Sequence, residues 1–374
     1  MTVRVFVDLL FYTGHRGGTE TYAREILKRM PEAFPDAEFV AVTGRAGAER
    51  VRGFFPGEVR TARWVGADRV TWAAGEVLRA SAYARRLRAD VMWCPSNFGP
   101  VRTSPVPRVT TTHDVIYHSA GSRGVRGLVP RVTAWLMGRA ARTSDAVITV
   151  SRAAEKAVVA ETGVRPDAIT VIGHGTNAPR VPDDPARELE GLGIRPGRAL
   201  VLSTGNRLPH KNFEGLLRAL ATMSANRPLV VIPGSHGRDP LLPLVEQLGL
   251  QDDVVLPGWV TGAQLEALYA SAALYVCPSL TEGFGLPVID AMRRGCVVLA
   301  NDVPVLREVG GDVALYADAA SPPKLAAAIR TALDDDQSAR REAGLRRAAG
   351  FTWEDSAART ARVIEATARA RGRR

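Results

Sequence analysis

Residues 279–290, Ser-Leu-Thr-Glu-Gly-Phe-Gly-Leu-Pro-Val-Ile-Asp, follow a short apolar run, Leu274–Cys277, and lead into a helical pattern that Gly295 closes. A buried strand, a glycine-rich turn and a proline-opened helix are the pieces of a parallel βαβ unit. The turn carries Glu282 and the helix carries Asp290. N–H groups at a helix start have no intrahelical partner, which suits an anion such as a diphosphate. Carboxylates beside that anion can accept hydrogen bonds from the hydroxyls of a sugar and a ribose. The stretch therefore reads as part of a nucleotide-sugar site.

The same alternation of apolar run and helical pattern extends in both directions. Val3–Leu9 predicts a first strand, and Thr19–Met30 an amphipathic helix with Ala23, Ile26, Leu27 and Met30 as its stripe. Phe39–Thr43, Val91–Cys94, Val109–Thr112, Ala146–Val150 and Ile169–Ile172 predict further strands, with Ser151 capping the helix after the fourth of these. Residues 60–90 read as an arginine-studded helical stretch anchored by Trp64, Trp72, Leu78, Tyr83 and Leu87. Residues 123–142 form a second basic segment, with Val132, Trp135, Leu136 and Met137 apolar. The proline-rich stretch from Asn177 is the best linker, and beyond it the pattern restarts with strands at Ala199–Ser203, Leu229–Ile232, Val254–Leu256 and Val297–Leu299. A chain of 374 residues suits two α/β domains. The expected division is 1–180, 181–350, and a C-terminal helix with a basic tail at 351–374.

Composition narrows the classes. Hydrophobic residues make up 46% of the chain, which marks it as globular. Cys94, Cys277 and Cys296 are few and widely spaced, consistent with buried thiols in a reducing compartment. No secretory signal is read at the N-terminus and no uncharged run reaches membrane-spanning length, so a cytoplasmic protein is expected. The net charge of +10 would favour anionic partners. With aromatics at 6% and no zinc-finger spacing, nucleic acid is not expected, whereas peripheral contact with the inner face of an anionic membrane is left open as an alternative. Asp334-Asp335-Asp336 reads as a solvated acidic helix end, and no metal is expected.

Three further groups sit where the pattern places loops at the ends of strands. Gly17-Gly18 follows the first strand, where glycines allow close approach of a ligand to the backbone. His113-Asp114 ends the strand Val109–Thr112, where the imidazole could bond a sugar hydroxyl or the backbone carbonyl could stabilise positive charge. In the second half, Gly205-Asn206-Arg207-Leu208-Pro209-His210-Lys211 places cations just ahead of a helix, which suits a diphosphate. Pro257-Gly258-Trp259-Val260 forms a turn whose backbone could read a base edge.

In this order and spacing these pieces resemble the family 4 glycosyltransferases, retaining enzymes with two Rossmann-like domains facing each other across a deep cleft, the GT-B fold. The resemblance covers nearly the whole chain and is strongest from Pro278 to Pro287. It implies that Gly17 and Gly18 border the donor phosphates and that His113 faces the donor sugar. It also implies that Lys211, with Asn206, Arg207 and His210 in its loop, holds the diphosphate. Glu282 would bond the transferred sugar, the amides of Phe284, Gly285 and Leu286 would touch sugar and phosphate, and Asp290 would take the ribose. Val260 would meet the base through its backbone. The C-terminal helix would cross back to the N-terminal domain. No cofactor is implied beyond a UDP- or GDP-linked sugar, with a small-molecule or lipid-linked acceptor as partner. Two positions depart from the pattern: Asp290 stands where the family carries glutamate, and Asn206 where many members carry arginine. A nucleotide-sugar epimerase or hydrolase on the same fold, or a non-catalytic binding subunit, are the alternatives.

Overall fold

A computed structural model describes residues 2–14, 17–115, 128–180, 182–195, 197–223 and 226–371. The chain forms two compact units, one running to Gly175 and resuming at Thr352, the other spanning Thr176–Phe351.

The first unit holds seven strands, β1 Val3–Leu9, β2 Ala37–Gly44, β3 Glu58–Ala62, β4 Val91–Cys94, β5 Arg108–Thr112, β6 Ala146–Thr149 and β7 Ile169–Val171. Their order is β3-β2-β1-β4-β5-β6-β7 and every pair is parallel. A parallel sheet is covered on both faces, so its central strands are apolar on both sides. Val91–Cys94 is buried throughout, and β1 is buried from Val5 onward. Chain order reverses between β1 and β4, the kind of point at which open α/β sheets take ligands. Helix Gly17–Ala33 packs Tyr22, Ala23, Ile26, Leu27 and Met30 into the core. The C-terminal helix Trp353–Arg371 belongs to this same unit, as the resemblance implies. Arg29 Nε donates to Glu354 (2.6 Å), and Arg359 Nη2 donates to the Val171 carbonyl (2.6 Å).

The returning chain leaves no space at Gly175. A Cβ there would lie 2.2 Å from the Trp353 backbone nitrogen and 2.5 Å from the Thr352 carbonyl carbon. Because the obstruction is backbone, relief requires the helix start to move. Gly175→Ala is expected to lose about 1–3 kcal/mol in denaturant unfolding, as overpacked sites do.

The second unit repeats the arrangement with six parallel strands: β8 Leu200–Leu202, β9 Leu229–Val231, β10 Val254–Val255, β11 Ala272–Cys277, β12 Val298–Asn301 and β13 Leu315–Ala317. Their order is β10-β9-β8-β11-β12-β13, so the reversal lies between β8 and β11. Val201, Leu216, Leu220, Val230 and Val276 are fully buried and form the centre of its core. Both units are thus Rossmann-like.

Residues 60–90 depart from the expected helical stretch. They begin in β3, an edge strand whose burial alternates, and continue in two helices, Arg69–Leu78 and Ala80–Arg86. Glu58 and Arg60 on that edge gave it a polar look, and charged edges are how sheets avoid further pairing. Of the expected anchors, Trp72 and Leu87 are buried, whereas Trp64 and Leu78 are 47% and 71% exposed. The break between the helices at Arg79 interrupts the single stripe that periodicity suggested. In the second basic segment the helix is Leu128–Arg142, and the expected helical residues before 128 lie outside the described residues. Met137 is buried there, but Val132 and Trp135 are 48% and 56% exposed. All three cysteines are buried and free. Among the described residues no helix is long and apolar enough to cross a membrane, and no acidic or cysteine–histidine group could hold a metal ion. Asp336 accepts from the Ser338 N–H at the start of the next helix (3.0 Å).

Candidate functional site

The expected donor residues of the second unit gather at the exits of β8 and β11. Leaving β8, Ser203 Oγ donates to the Val276 carbonyl (2.6 Å), and the Thr204 and Tyr275 hydroxyls pair (2.8 Å). Gly205 follows with a φ of +149°, and a Cβ on Gly234 would sit 2.8 Å from the Gly205 carbonyl oxygen. Gly234 is needed because its backbone touches that of the other loop, and Gly205 because of its positive φ. The chain then makes a tight turn, Pro209–Lys211, ended by Asn212 at a φ of +54°. The Asn212 amide donates to the carbonyls of Pro278 (3.2 Å) and Ala319 (2.8 Å), joining the exits of β8, β11 and β13. The Leu280 N–H donates to the His210 carbonyl (2.8 Å) and fixes the glycine-rich turn against it.

These bonds bring Lys211 Nζ to 2.6 Å from Glu282 Oε1, with the two side chains 14% and 10% exposed. The pair is nearly buried, so removing either partner would leave the other charge without its counter-ion. Burial pushes the neighbouring Cys277 thiol up to about 11, with the Glu282 charge adding to the push while Lys211 and Ser279 oppose it. The thiol is therefore a neutral wall. Gly285, at a φ of +96°, opens the helix Leu286–Arg293 with no side-chain cap. The N–H groups of Gly285 and Leu286 make no hydrogen bond among the described residues. Phe284 is buried and meets Phe351 edge to face at 6.0 Å.

Arg207 differs from its expected role. Its Nε contacts both Asp239 oxygens (3.1 Å each), Nη2 reaches Asp239 (2.6 Å) and Ile232 O (2.6 Å), and Nη1 reaches Gly205 O (3.0 Å) and Pro233 O (3.3 Å). Every donor of the guanidinium is engaged, and it lies over the Phe213 ring. Arg207 holds the loop's shape and has nothing left to offer a phosphate. Asn206 is exposed, its side-chain oxygen 3.4 Å from the Leu208 N–H.

Asp290 is tied into the protein through one oxygen. Oδ1 accepts from the Thr176 hydroxyl and lies 3.6 Å from Arg294 Nη1, while Oδ2 makes no hydrogen bond among the described residues. Arg294 is itself bidentate to Glu266 at 2.6 and 2.9 Å and lies over the Tyr269 ring. Burial raises the Asp290 carboxyl above the usual range, Thr176 and Arg294 lower it, and Glu266 raises it. With 36% of the side chain exposed, water screens much of that push. Val260 lies in the turn after β10, two strands along from β8. Beside it, Trp259 stacks on His236 at 4.5 Å.

In the first unit, Gly17 and Gly18 open the helix after β1 and are exposed, with nothing within 4 Å of a Cβ built on Gly17. Sequence reading passed over Glu20, which is buried and accepts from Thr13 through its N–H (2.6 Å) and its hydroxyl (3.0 Å), folding the β1 exit onto the helix start. His113 leaves β5 with its N–H bonded to Asn97 Oδ1 (2.5 Å). Its Nε2 bonds the Pro95 carbonyl (2.8 Å) and so carries the proton. Tyr22 meets the ring edge to face at 4.8 Å, and His174 lies 5.6 Å away. The imidazole thus faces the interior of its own unit, which favours the backbone carbonyl as the group His113 can offer a ligand.

Burial drives the His113 pKa down to about 4, opposed by the Pro95 hydrogen bond. A ring that is neutral when folded and titrates near 6.5 when unfolded contributes stability above about 6.5, lost as pH falls through about 4. Asp8, raised by burial to about 7, has the opposite slope and loses stability as pH rises toward 7. Comparison with His113→Gln isolates the histidine. The wild-type advantage over that variant is expected to shrink by about 2–3 kcal/mol between about pH 7 and pH 4.5 in denaturant unfolding.

Two family models match the chain. "Glycosyltransferase Family 4" matches residues 16–180, and "Glycosyl transferases group 1" matches residues 186–346. O-antigen chain mannosyltransferase B of Escherichia coli is 30% identical over 294 residues, which cover 75% of this chain and 76% of that protein. MMP alpha-(1->4)-mannosyltransferase of Mycolicibacterium hassiacum is 29% identical over 249 residues, 63% of this chain and 59% of that protein. Among solved structures, Anabaena HepE in complex with UDP-glucose aligns with a TM-score of 0.74 at 19% identity, over 97% of this chain and 99% of that one. WaaG, a glycosyltransferase involved in lipopolysaccharide biosynthesis, aligns with a TM-score of 0.74 at 15% identity, over 97% and 99%. At such identities the structures speak for the fold.

Proposed function

The chain belongs to glycosyltransferase family 4, and from that membership we propose that it transfers a hexosyl residue from a nucleotide-diphosphate sugar to an acceptor hydroxyl with retention at the anomeric carbon. The observation that carries the donor reading is the Lys211–Glu282 pair at the exits of β8 and β11, beside the uncapped helix start at Gly285. Open α/β sheets bind ligands at such a reversal of strand order. A diphosphate arriving there competes with Glu282 for the Lys211 ammonium and takes hydrogen bonds from the Gly285 and Leu286 amides. Glu282, released on that side, accepts hydroxyls of the transferred sugar. As the sugar–oxygen bond breaks, charge builds on the leaving phosphate, and Lys211 stabilises it where it develops.

Retention follows from attack on the face that the diphosphate leaves, with a phosphate oxygen taking the acceptor proton. Asp290 Oδ2 remains available to a ribose hydroxyl, although its side chain is about 1.5 Å shorter than a glutamate's. Val260 would meet the base through its backbone. The mannosyltransferase names of the relatives make a mannosyl donor the first to test.

A panel of UDP- and GDP-linked sugars should contain one that raises the melting temperature, since a ligand of the native state stabilises it by mass action. Supplied with an acceptor, that donor should yield a product with unchanged anomeric configuration by NMR. Epimer or free sugar formed from donor alone, with no acceptor-dependent product, would favour the isomerising or hydrolysing alternative.

A further inference from the structure

The exposed groove between Trp64 and the helices Arg69–Leu78 and Ala80–Arg86 belongs to none of the features above. It encloses about 440 Å³ and is lined by Trp64, Leu78, Tyr83, Arg79 and Arg86, with Ala74 and Ala82 between them. Large apolar side chains stand in water here: Trp64 is 47% exposed, Leu78 71% and Val70 78%. The indole is held in place, since Trp64 Nε1 donates to the Tyr83 hydroxyl (3.1 Å). Tyr83 Oη is left with its own proton to donate outward.

The charge around these apolar groups has one sign. Residues 60–90 contain seven arginines against three acids. Of the acids, Glu76 is buried and Asp68 is occupied capping its own helix through Thr71. Arg63, Arg79, Arg85 and Arg86 are exposed and make no ion pair among the described residues. A solvated surface helix gains nothing from exposed tryptophan and leucine, and a protein partner would need acids facing each arginine. We propose that this groove docks the chain on an anionic bilayer surface. Trp64 and Tyr83 sit at headgroup depth, Leu78 and Val70 reach the acyl boundary, and the arginines lay their stems along the apolar surface with their guanidiniums on lipid phosphates. The inference stands apart from the donor reading, which concerns the other unit.

The test is flotation of the full chain with vesicles of phosphatidylcholine alone or mixed with phosphatidylglycerol, at low and high salt. Binding is expected to the mixed vesicles only, and salt should weaken it. Removing two arginines with Arg79→Ala and Arg86→Ala should weaken binding about twenty-five-fold at low salt, at about fivefold each. Trp64→Ala should weaken it as well. Arg180→Ala with Arg195→Ala, in the other unit, removes the same charge and should leave binding nearly unchanged. All these side chains are exposed, so folding is not at issue. Equal binding to both vesicle types, equal loss in the two arginine pairs, or no binding at all would overturn the proposal. So would a self-associated state by light scattering that Trp64→Ala dissolves, since a second copy would then be the occupant.

Discussion

Replacing Lys211 with alanine should lower kcat by about two to three orders of magnitude, the range seen when one preorganised charge-stabilising group is removed from a reacting centre. The ammonium is the cation that the β8 exit loop directs at Glu282, 2.6 Å away, and in the proposed reaction it faces the charge that grows on the departing phosphate. Its removal also leaves Glu282 without its cation in a setting where 10% of the side chain is exposed. A moderate loss of stability is therefore expected beside the kinetic loss. Unfolding curves measured with the kinetics separate the two. Lys211→Arg, which keeps charge but not shape, should recover stability before it recovers turnover.

The second large effect concerns Arg207, four residues earlier, and it should be the reverse. Arg207→Ala breaks an ion pair with Asp239 in which the side chains are 7% and 4% exposed. It also strips the carbonyls of Gly205, Ile232 and Pro233 of their donor. Breaking one side of a buried pair commonly costs about 3–5 kcal/mol, because the remaining charge stays buried. The expected result is a large drop in melting temperature. Donor affinity per folded molecule should fall less than in Lys211→Ala. If Arg207→Ala abolished donor binding with stability intact, the guanidinium would be a phosphate ligand after all. Two cations of one loop thus divide the work, one shaping the loop and one directed at Glu282.

What could be read before the structure follows from range along the chain. Strand, turn and helix at 272–293 are local, and so is the helix opened by Pro287, which is why the donor segment was legible. The return of the last helix to the first unit was implied by resemblance and is met by Arg29 with Glu354 and Arg359 with Val171. The partners of the charged residues were not legible. Thr176 and Asp290 are 114 residues apart, Arg207 and Asp239 32, and no local pattern announces either pair. The chemistry of both arginine and aspartate allows a ligand, which is all that a local pattern can express. The folded chain supplies competing partners.

Periodicity misled for a different reason. It finds apolar positions but not whether anything covers them, so Trp64 and Leu78 were read as anchors of a core they do not enter. The edge strand β3 was lost in the same stretch because its exposed face is charged. His113 shows the third kind of limit. Its place at a strand exit is legible, whereas the turn of its ring depends on Pro95, Tyr22 and His174, which come from three other segments.

In the proposed donor site Lys211 holds the diphosphate and Glu282 the sugar. Titration calorimetry with the stabilising nucleotide sugar and with its nucleoside diphosphate, against wild type, Lys211→Ala and Glu282→Ala, tests it most directly. Lys211→Ala should weaken both ligands, and Glu282→Ala should weaken the nucleotide sugar without weakening the nucleoside diphosphate, which no longer has to compete with Glu282 for Lys211. Wild-type affinity for both ligands in both variants, each shown to be folded, would contradict the account.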